Sequence, residues 1–116
     1  MMDIEHKYNW TEWKSFPDPR KGEFLTAPFG FGVYQLHNYK TNEFILFGSA
    51  NNLAYRMSSL LPKPYGQGTR NNKEKRIFVF ENIENIKYRT IAFTMERVMK
   101  ECEKELRQLK IHKFNT

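Results

Sequence analysis

Short runs of apolar and aromatic residues, and one stretch of alternating apolar and polar residues, predict three β-strands in the chain. Residues 31–37 and 43–49 are rich in Val, Ile, Leu, Phe and Tyr, and they flank the polar residues 38–42, which is typical of an antiparallel hairpin. Residues 86–93 alternate between apolar and polar positions and predict a third strand. The middle of the chain is therefore expected to form a small antiparallel sheet.

Helical periodicity replaces this alternation in two other segments. The first covers residues 52–61, ends at Pro62, and has an expected buried stripe of Leu53, Met57 and Leu60. The second begins after Thr94, and its expected buried face consists of Met95, Val98, Met99, Cys102, Leu106 and Leu109. Residues 76–83 fit either a short buried helix or a strand. Strands and helices together predict an α+β fold.

The first 29 residues differ in character from the rest of the chain. They contain three prolines and a turn-like segment at residues 18–22, which indicates an irregular arm. We expect this arm to pack on the body of the protein through its large aromatic residues, Trp10, Trp13 and Phe16. The chain is thus divided into an N-terminal arm, residues 1–29, and one domain, residues 30–116.

Charge is distributed unevenly along the 116 residues. Residues 1–55 hold five Lys or Arg and six Asp or Glu, whereas residues 56–116 hold fourteen and seven, so the net charge of +6 comes from the second half. Because Lys and Arg contacts to phosphates release condensed counterions, a nucleic acid partner is one interpretation. A basic surface that serves only solubility is the other.

Composition argues against several other kinds of site. The single cysteine, Cys102, cannot form an intrachain disulfide or a cysteine-rich zinc site. The three histidines lie far apart, and the chain has no nucleophile elbow, phosphate-binding glycine loop or dinucleotide fingerprint. No leader sequence or apolar run of membrane-spanning length is present, so a cytoplasmic protein without membrane association is expected.

Short motifs recur at fixed intervals in the second part of the chain. In order, they are Gly32-Val33-Tyr34, Leu46-Phe47-Gly48, Asn52-Leu53, Arg56, Glu103 and Phe114-Asn115. Eleven residues separate the two triplets, and Arg56 lies eight residues after Gly48. This order and spacing, which cover residues 30–116, resemble the signature of the GIY-YIG nucleases, a superfamily that includes homing endonucleases and some restriction enzymes.

The resemblance implies a fold and an activity. The fold would be a small α/β sandwich with a three-stranded antiparallel sheet flanked by helices, in which residues 76–82 form a short middle helix. The activity would be endonucleolytic hydrolysis of DNA phosphodiester bonds with one divalent metal, Mg²⁺ or Mn²⁺. A hard cation of this kind takes few protein carboxylates and keeps several waters, so one glutamate is sufficient.

Four residues would carry this chemistry. The resemblance assigns the metal to Glu103 and the positioning or deprotonation of the attacking water to Tyr34. Arg56 lies at the edge of its helix's apolar stripe, where it either grips phosphate oxygens with its planar guanidinium or covers the rim of the core. Asn115 would brace the C-terminal segment against the site. The hypothesis requires these side chains to converge in one cleft.

Nucleic acid contacts are expected from a loop that precedes the middle helix. Residues 62–75 are rich in Pro, Gly and Asn and lead into a basic cluster formed by Arg70, Lys73, Lys75 and Arg76. A mobile basic loop of this kind suits contact with phosphates. DNA is the expected partner, and the oligomeric state is left open.

Two positions depart from the GIY-YIG pattern. Leu46 stands where the second triplet usually begins with tyrosine, and Leu60 stands where a His or Tyr usually follows the arginine. Substitutes could come from Tyr55, Tyr65, Arg70, Lys75 or His112. Because loss of a proton-transfer group costs on the order of 10² to 10⁴ in rate, three alternatives remain: a nuclease, a catalytically impaired nucleic-acid-binding module of the same fold, and a structural or partner-binding protein.

Overall fold

The computed structural model describes residues 7–23, 27, 30–53, 57 and 73–114, with only the backbone described at Pro19, Lys73 and Lys75. The regular elements, in chain order, are β1 (Lys14–Ser15), β2 (Gly32–Asn38), β3 (Glu43–Ala50), α1 (Lys73–Glu81), β4 (Ile86–Ala92), α2 (Glu96–Leu109) and β5 (His112–Phe114). Short 3₁₀ turns cover Pro19–Lys21 and Ile83–Asn85. Leu53 and Met57 also have helical backbone. Within these ranges, no helix is both long enough and apolar enough to cross a membrane.

All five strands belong to one mixed sheet in the order β1-β4-β2-β3-β5. The β3–β5 pair is parallel and the other pairs are antiparallel. The predicted α+β class is confirmed, but the sheet differs from the expected set of three antiparallel strands. The two additional strands lie at the edges and have only two and three residues, which is too short to produce a visible alternation in the sequence.

The β2–β3 hairpin sets the register of the sheet. Tyr34 lies opposite Gly48 on β3 and opposite Thr90 on β4. At the turn, the Asn38 side chain accepts hydrogen bonds from the backbone N–H groups of Lys40 and Thr41. The turn ends at Asn42, whose φ of 58° lies in the left-handed region that asparagine tolerates.

Each face of the sheet is covered by its own hydrophobic cluster. The first face carries Tyr34 and packs against the helical residues Leu53 and Met57, against α1, and against the 3₁₀ turn that follows α1. The second face carries Val33, Phe47 and Ile91 and packs against α2. The domain is therefore built of three layers, with the sheet in the middle.

The segment after the basic loop forms a helix. The implied helix at residues 76–82 is confirmed by α1, which begins three residues earlier, at Lys73, and ends at Glu81. Lys73 and Lys75 therefore belong to a helix and not to the loop, while residues 62–72 lie outside the described residues. Ile77 is exposed whereas Val79 is buried against the first face, so two residues that would share one face of a strand lie on opposite sides of the helix.

The long helix α2 packs on the second face through Met99, Cys102 and Leu106. The expectation that Met95 lies on this buried stripe is wrong, because Met95 is 51% exposed. It precedes the helix with extended backbone, so the helical spacing does not yet apply to it. The helix ends at Leu109, and the next residue, Lys110, adopts a left-handed conformation with φ of 54°.

The N-terminal segment extends the sheet beyond β4. Backbone hydrogen bonds join Thr11 to Thr90 and Phe16 to Ile86, on either side of the β1–β4 pairing. Phe16 is buried on the first face, where its ring contacts Tyr88 edge-on. On the second face, Trp10 and Trp13 pack on the side chain of Arg89. Their ring centroids lie 4.0 and 4.4 Å from its guanidinium carbon.

The glycine that opens β2 permits a close approach between the sheet and the helical segment. A Cβ atom at Gly32 would lie 2.7 Å from Leu53 Cδ2 and 2.9 Å from the Ile91 carbonyl oxygen. We expect Gly32→Ala to lower the free energy of unfolding by about 2 kcal/mol, because the backbone carbonyl cannot move aside without disturbing β4. Chemical denaturation measures this loss.

Gly30 provides the matched control for this prediction. A Cβ at Gly30 would meet nothing within 4 Å. Gly30→Ala should therefore change the free energy of unfolding by no more than about 0.5 kcal/mol. Equal effects of the two substitutions would show that the space at Gly32 is not the cause.

Candidate functional site

Tyr34 lies in the middle of the sheet, with its ring spread over Gly48. The residue is 5% exposed, and a Cβ atom at position 48 would come within 2.7 Å of three ring and hydroxyl atoms of Tyr34. The glycine of the second triplet thus makes room for the tyrosine of the first. The phenol reaches from β2 across to β3, so a side chain larger than that of glycine at position 48 would collide with Tyr34.

Glu103 lies on α2 and faces the end of β3. Its Oε2 accepts a hydrogen bond from the Ser49 hydroxyl at 2.7 Å. Its Oε1 lies 3.7 Å from the guanidinium of Arg107, four residues later on the same helix. The Glu103 side chain is 24% exposed, so the carboxylate is held in place by the protein but is still accessible to solvent.

Tyr34 and Glu103 approach β3 from opposite faces of the sheet. Tyr34 belongs to the cluster under the helical segment and α1, whereas Glu103 comes from the helix on the other face. They nevertheless flank consecutive residues, because the phenol covers Gly48 and the carboxylate binds Ser49. A single site could include both groups only at the outer edge of β3, where the two faces meet.

Gly48 and Ser49 follow the residues of β3 that pair with β5. The last described residue of β5, Phe114, is opposite Leu46, two residues before Gly48. Within the described part of the chain, no strand covers the edge at Gly48 and Ser49. A ligand approaching this edge would meet side chains from both faces.

Two of the four predicted catalytic residues, Arg56 and Asn115, lie outside the described residues. Their chain neighbours Met57 and Phe114 both pack in the cluster that contains Tyr34. The convergence of all four side chains therefore stays a prediction.

The predicted nucleic-acid contacts are only partly visible. Arg70 lies outside the described residues, and only the backbone of Lys73 and Lys75 is described. Arg76 is half-buried on α1, and its Nη1 atom is buried without a hydrogen-bond partner. Its guanidinium is therefore not simply directed into solvent.

A second basic surface, which the sequence reasoning missed, lies on α2 beside Glu103. It consists of four exposed residues that we call the α2 basic row: Arg97, Lys100, Lys104 and Arg107. The signal was present in the sequence as basic residues separated by three, four and three positions, the spacing of one side of a helix. The predictions for this segment concerned its buried face and Glu103, and not its basic residues.

Of the five candidate substitutes for the missing polar groups, only His112 has a described side chain. It lies on the second face, 7% exposed, where its Nε2 is 2.9 Å from the amide nitrogen of Gln35. Burial, with a smaller contribution from the Arg89 charge, lowers the pKa of His112 to about 4. Leu46 is part of the core on the other face, so His112 does not occupy the place of the missing tyrosine hydroxyl.

Cys102 takes no part in the candidate chemistry. It is fully buried on the inner face of α2, and burial raises the pKa of its thiol to about 12. A thiol in this state is neither a nucleophile nor a metal ligand. Among the described residues, no group of three or more His, Cys, Asp or Glu side chains is placed to hold a metal ion.

A cleft of about 430 Å³ lies away from the predicted site, between the N-terminal segment and the turn after α1. Its walls include Phe16, Asp18, Tyr39 and Glu84, but neither Tyr34 nor Glu103. Arg20 donates two side-chain hydrogen bonds to Asp18 and lowers the pKa of that carboxyl. Because the most buried carboxylate is already neutralised within the protein, we do not assign the chemistry to this cleft.

Comparison with known proteins gives no matching family, no matching curated protein and no matching solved structure.

Proposed function

We propose that this protein is a metal-dependent endonuclease that hydrolyses phosphodiester bonds in DNA at the outer edge of β3. The observation that carries the proposal is the position of Glu103. Its carboxylate is fixed beside Ser49, next to the Gly48 residue that the Tyr34 phenol covers, and it borders the α2 basic row. A carboxylate, a phenol and a cationic surface therefore surround a part of β3 with which no other described strand pairs on its outer side.

The residues present fit a single Mg²⁺ or Mn²⁺ ion. Glu103 offers a hard oxygen ligand, and its partial exposure leaves room for the waters that Mg²⁺ retains. The Ser49 hydroxyl fixes the orientation of the carboxylate, which is the usual role of a hydrogen bond to a metal ligand. When bound, the ion would supply positive charge against the phosphate and lower the pKa of a bound water.

The protein's own side chains would do the remaining work. Tyr34 would orient the attacking water through its hydroxyl. Arg56 would donate two parallel hydrogen bonds to phosphate oxygens, whose negative charge increases as the bond breaks. Asn115 would hold the C-terminal segment against the edge of β3.

Cleavage of plasmid DNA tests this proposal. Purified protein with Mg²⁺ or Mn²⁺ should convert supercoiled plasmid to nicked or linear forms, and chelation of the metal should stop the reaction. Glu103→Gln should reduce the rate by at least about 10²-fold, because the amide keeps the shape but loses the charge that binds the ion. Gel electrophoresis of time points measures both effects.

Glu12→Gln is the matched control, since it makes the same change at an exposed position away from α2 and its basic row. It should cut DNA at the parental rate. The proposal fails if the parent protein does not cut, or if the two glutamine variants cut equally well.

A second candidate function is DNA binding without catalysis. It is favoured by Leu46, which is 1% exposed in the core where the GIY-YIG pattern has a tyrosine hydroxyl. In that case the protein would bind DNA in a salt-dependent manner but would not cut it with either metal. The cleavage assay and a binding assay together separate the two functions.

A further inference from the structure

The solvent-facing side of α2 presents a straight row of cations. Arg97, Lys100, Lys104 and Arg107 are all exposed. Ten residues separate the first from the last, which corresponds to roughly 15 Å along a helix that rises 1.5 Å per residue. The buried stripe of α2 holds the helix on the sheet, so the row is displayed on a rigid support.

Glu96 and Glu101 are exposed at helical spacing from Lys100 and Arg97, but among the described residues no ion pair joins either carboxylate to the row. Glu105, on the other side of the helix, is bound by Lys7 and Tyr8 of the N-terminal segment. Among the described residues, no carboxylate pairs with Arg97, Lys100 or Lys104. Only the fourth cation of the row has an acidic partner, the 3.7 Å pair with Glu103, and such a half-exposed pair is worth little against a phosphate.

We propose that the α2 basic row is the surface that contacts the phosphate backbone of duplex DNA. This inference rests on the proposed function and names its contact residues. A length of roughly 15 Å spans about four base steps of duplex DNA, at 3.4 Å each. Arg107 at the end of the row would exchange Glu103 for a phosphate, which leaves the carboxylate next to the bound backbone.

The lack of stacking groups points to a duplex and not to a single strand. Proteins that bind single strands combine a basic groove with exposed aromatic side chains on which the bases stack. The α2 row contains no aromatic residue, and the exposed large hydrophobic residues of the described chain, Tyr39, Ile77, Met95 and Ile111, lie outside α2. A row of cations without stacking groups recognises backbone charge and carries no base readout.

Fluorescence anisotropy with a 20-base-pair DNA duplex in EDTA, at several NaCl concentrations, tests the proposal. The triple variant Arg97→Gln, Lys100→Gln, Lys104→Gln should bind at least about tenfold more weakly at low salt. The slope of log affinity against log salt should fall by about two to three, since each phosphate contact contributes about 0.9. Single-stranded DNA and duplex RNA of the same length serve as competitors.

A second triple variant controls for net charge. Lys14→Gln, Lys21→Gln and Lys40→Gln remove the same three charges from exposed positions on other elements. This variant should keep the parental salt slope. Equal losses in both triple variants, or preferential binding of single-stranded DNA or duplex RNA, would overturn the proposal.

Working in EDTA separates this inference from the proposed activity. If the parent does not cut DNA but the row variant loses salt slope and the control variant does not, the binding surface stands and the endonuclease proposal fails. If the parent cuts DNA but the row variant binds as tightly as the parent, the endonuclease proposal stands and the assignment of the row fails.

Discussion

A protein that lacks residues 1–27 is expected to melt at least about 15 °C below the full chain. The deletion removes Phe16, whose loss from a core costs about 3 kcal/mol or more. It also removes Trp10 and Trp13, which cover the buried Arg89 guanidinium. The free energy of unfolding of a small domain is about 5–15 kcal/mol, and a loss of 1 kcal/mol lowers the melting temperature by several degrees. The loss of these three aromatic side chains therefore removes a large fraction of the stability.

Point variants make this prediction testable even if the truncated protein does not accumulate. Phe16→Ala should lower the free energy of unfolding by about 3 kcal/mol. The exposed neighbour Glu12 serves as control, and Glu12→Ala should stay within about 0.5 kcal/mol of the parent. A truncated protein that melts within a few degrees of the full chain would contradict the prediction.

Lowering the pH from 7 to 4.5 is expected to destabilise the fold, chiefly through His112. The Gln35 carbonyl accepts a hydrogen bond from Arg89, so the Gln35 amide nitrogen must face His112 and donate to its Nε2. A proton on Nε2 would replace this bond with a contact between two donors. The folded state therefore keeps His112 neutral, which agrees with its pKa of about 4.

The direction of the pH effect follows from these two protonation states. The unfolded chain takes up a proton near pH 6.5, while the folded protein resists it until about pH 4. The His112 contribution to stability is therefore complete above pH 6.5 and decreases as the pH falls toward 4. At 1.36 kcal/mol for each pKa unit, the loss reaches about 3 kcal/mol at most.

Urea denaturation at pH 7.0, 5.5 and 4.5 measures this effect. His112→Gln should be less stable than the parent at pH 7 but should lose much less stability on acidification. His37, which lies at the end of β2 and is less buried, provides the control, and His37→Gln should keep the parental pH dependence. An unchanged pH dependence in His112→Gln would rule out this residue as the cause.

Sequence reasoning located the hairpin, the third long strand and α2 because each is a run of at least seven residues with a consistent apolar pattern. The pattern at α1 fitted either a helix or a strand, and only the family resemblance favoured a helix there. Sequence reasoning failed at the sheet edges, since strands of two or three residues are defined by backbone pairing and not by side-chain pattern. It also failed at Met95, which fits the apolar spacing of α2 but lies one residue before the helix begins.

The candidate site was harder to predict because its parts come from different layers. The spacing of the triplets did not predict the contact between Tyr34 and Gly48, which follows from the register of the hairpin. It could not indicate that Glu103 arrives from the opposite face, because that depends on which side of the sheet α2 crosses. Ser49, the partner of Glu103, had no signal of its own beyond a hydroxyl after the glycine.

The packing of Arg89 between two indole rings also provides an optical probe. Trp10 and Trp13 are the only tryptophans in the protein, and both contact the same guanidinium. Tryptophan fluorescence of the protein therefore reports on one region, the contact between the N-terminal segment and Arg89. If the N-terminal segment detached while the sheet stayed intact, the emission maximum would shift to the red before circular dichroism changed, so the two spectra recorded together would reveal a partly opened species.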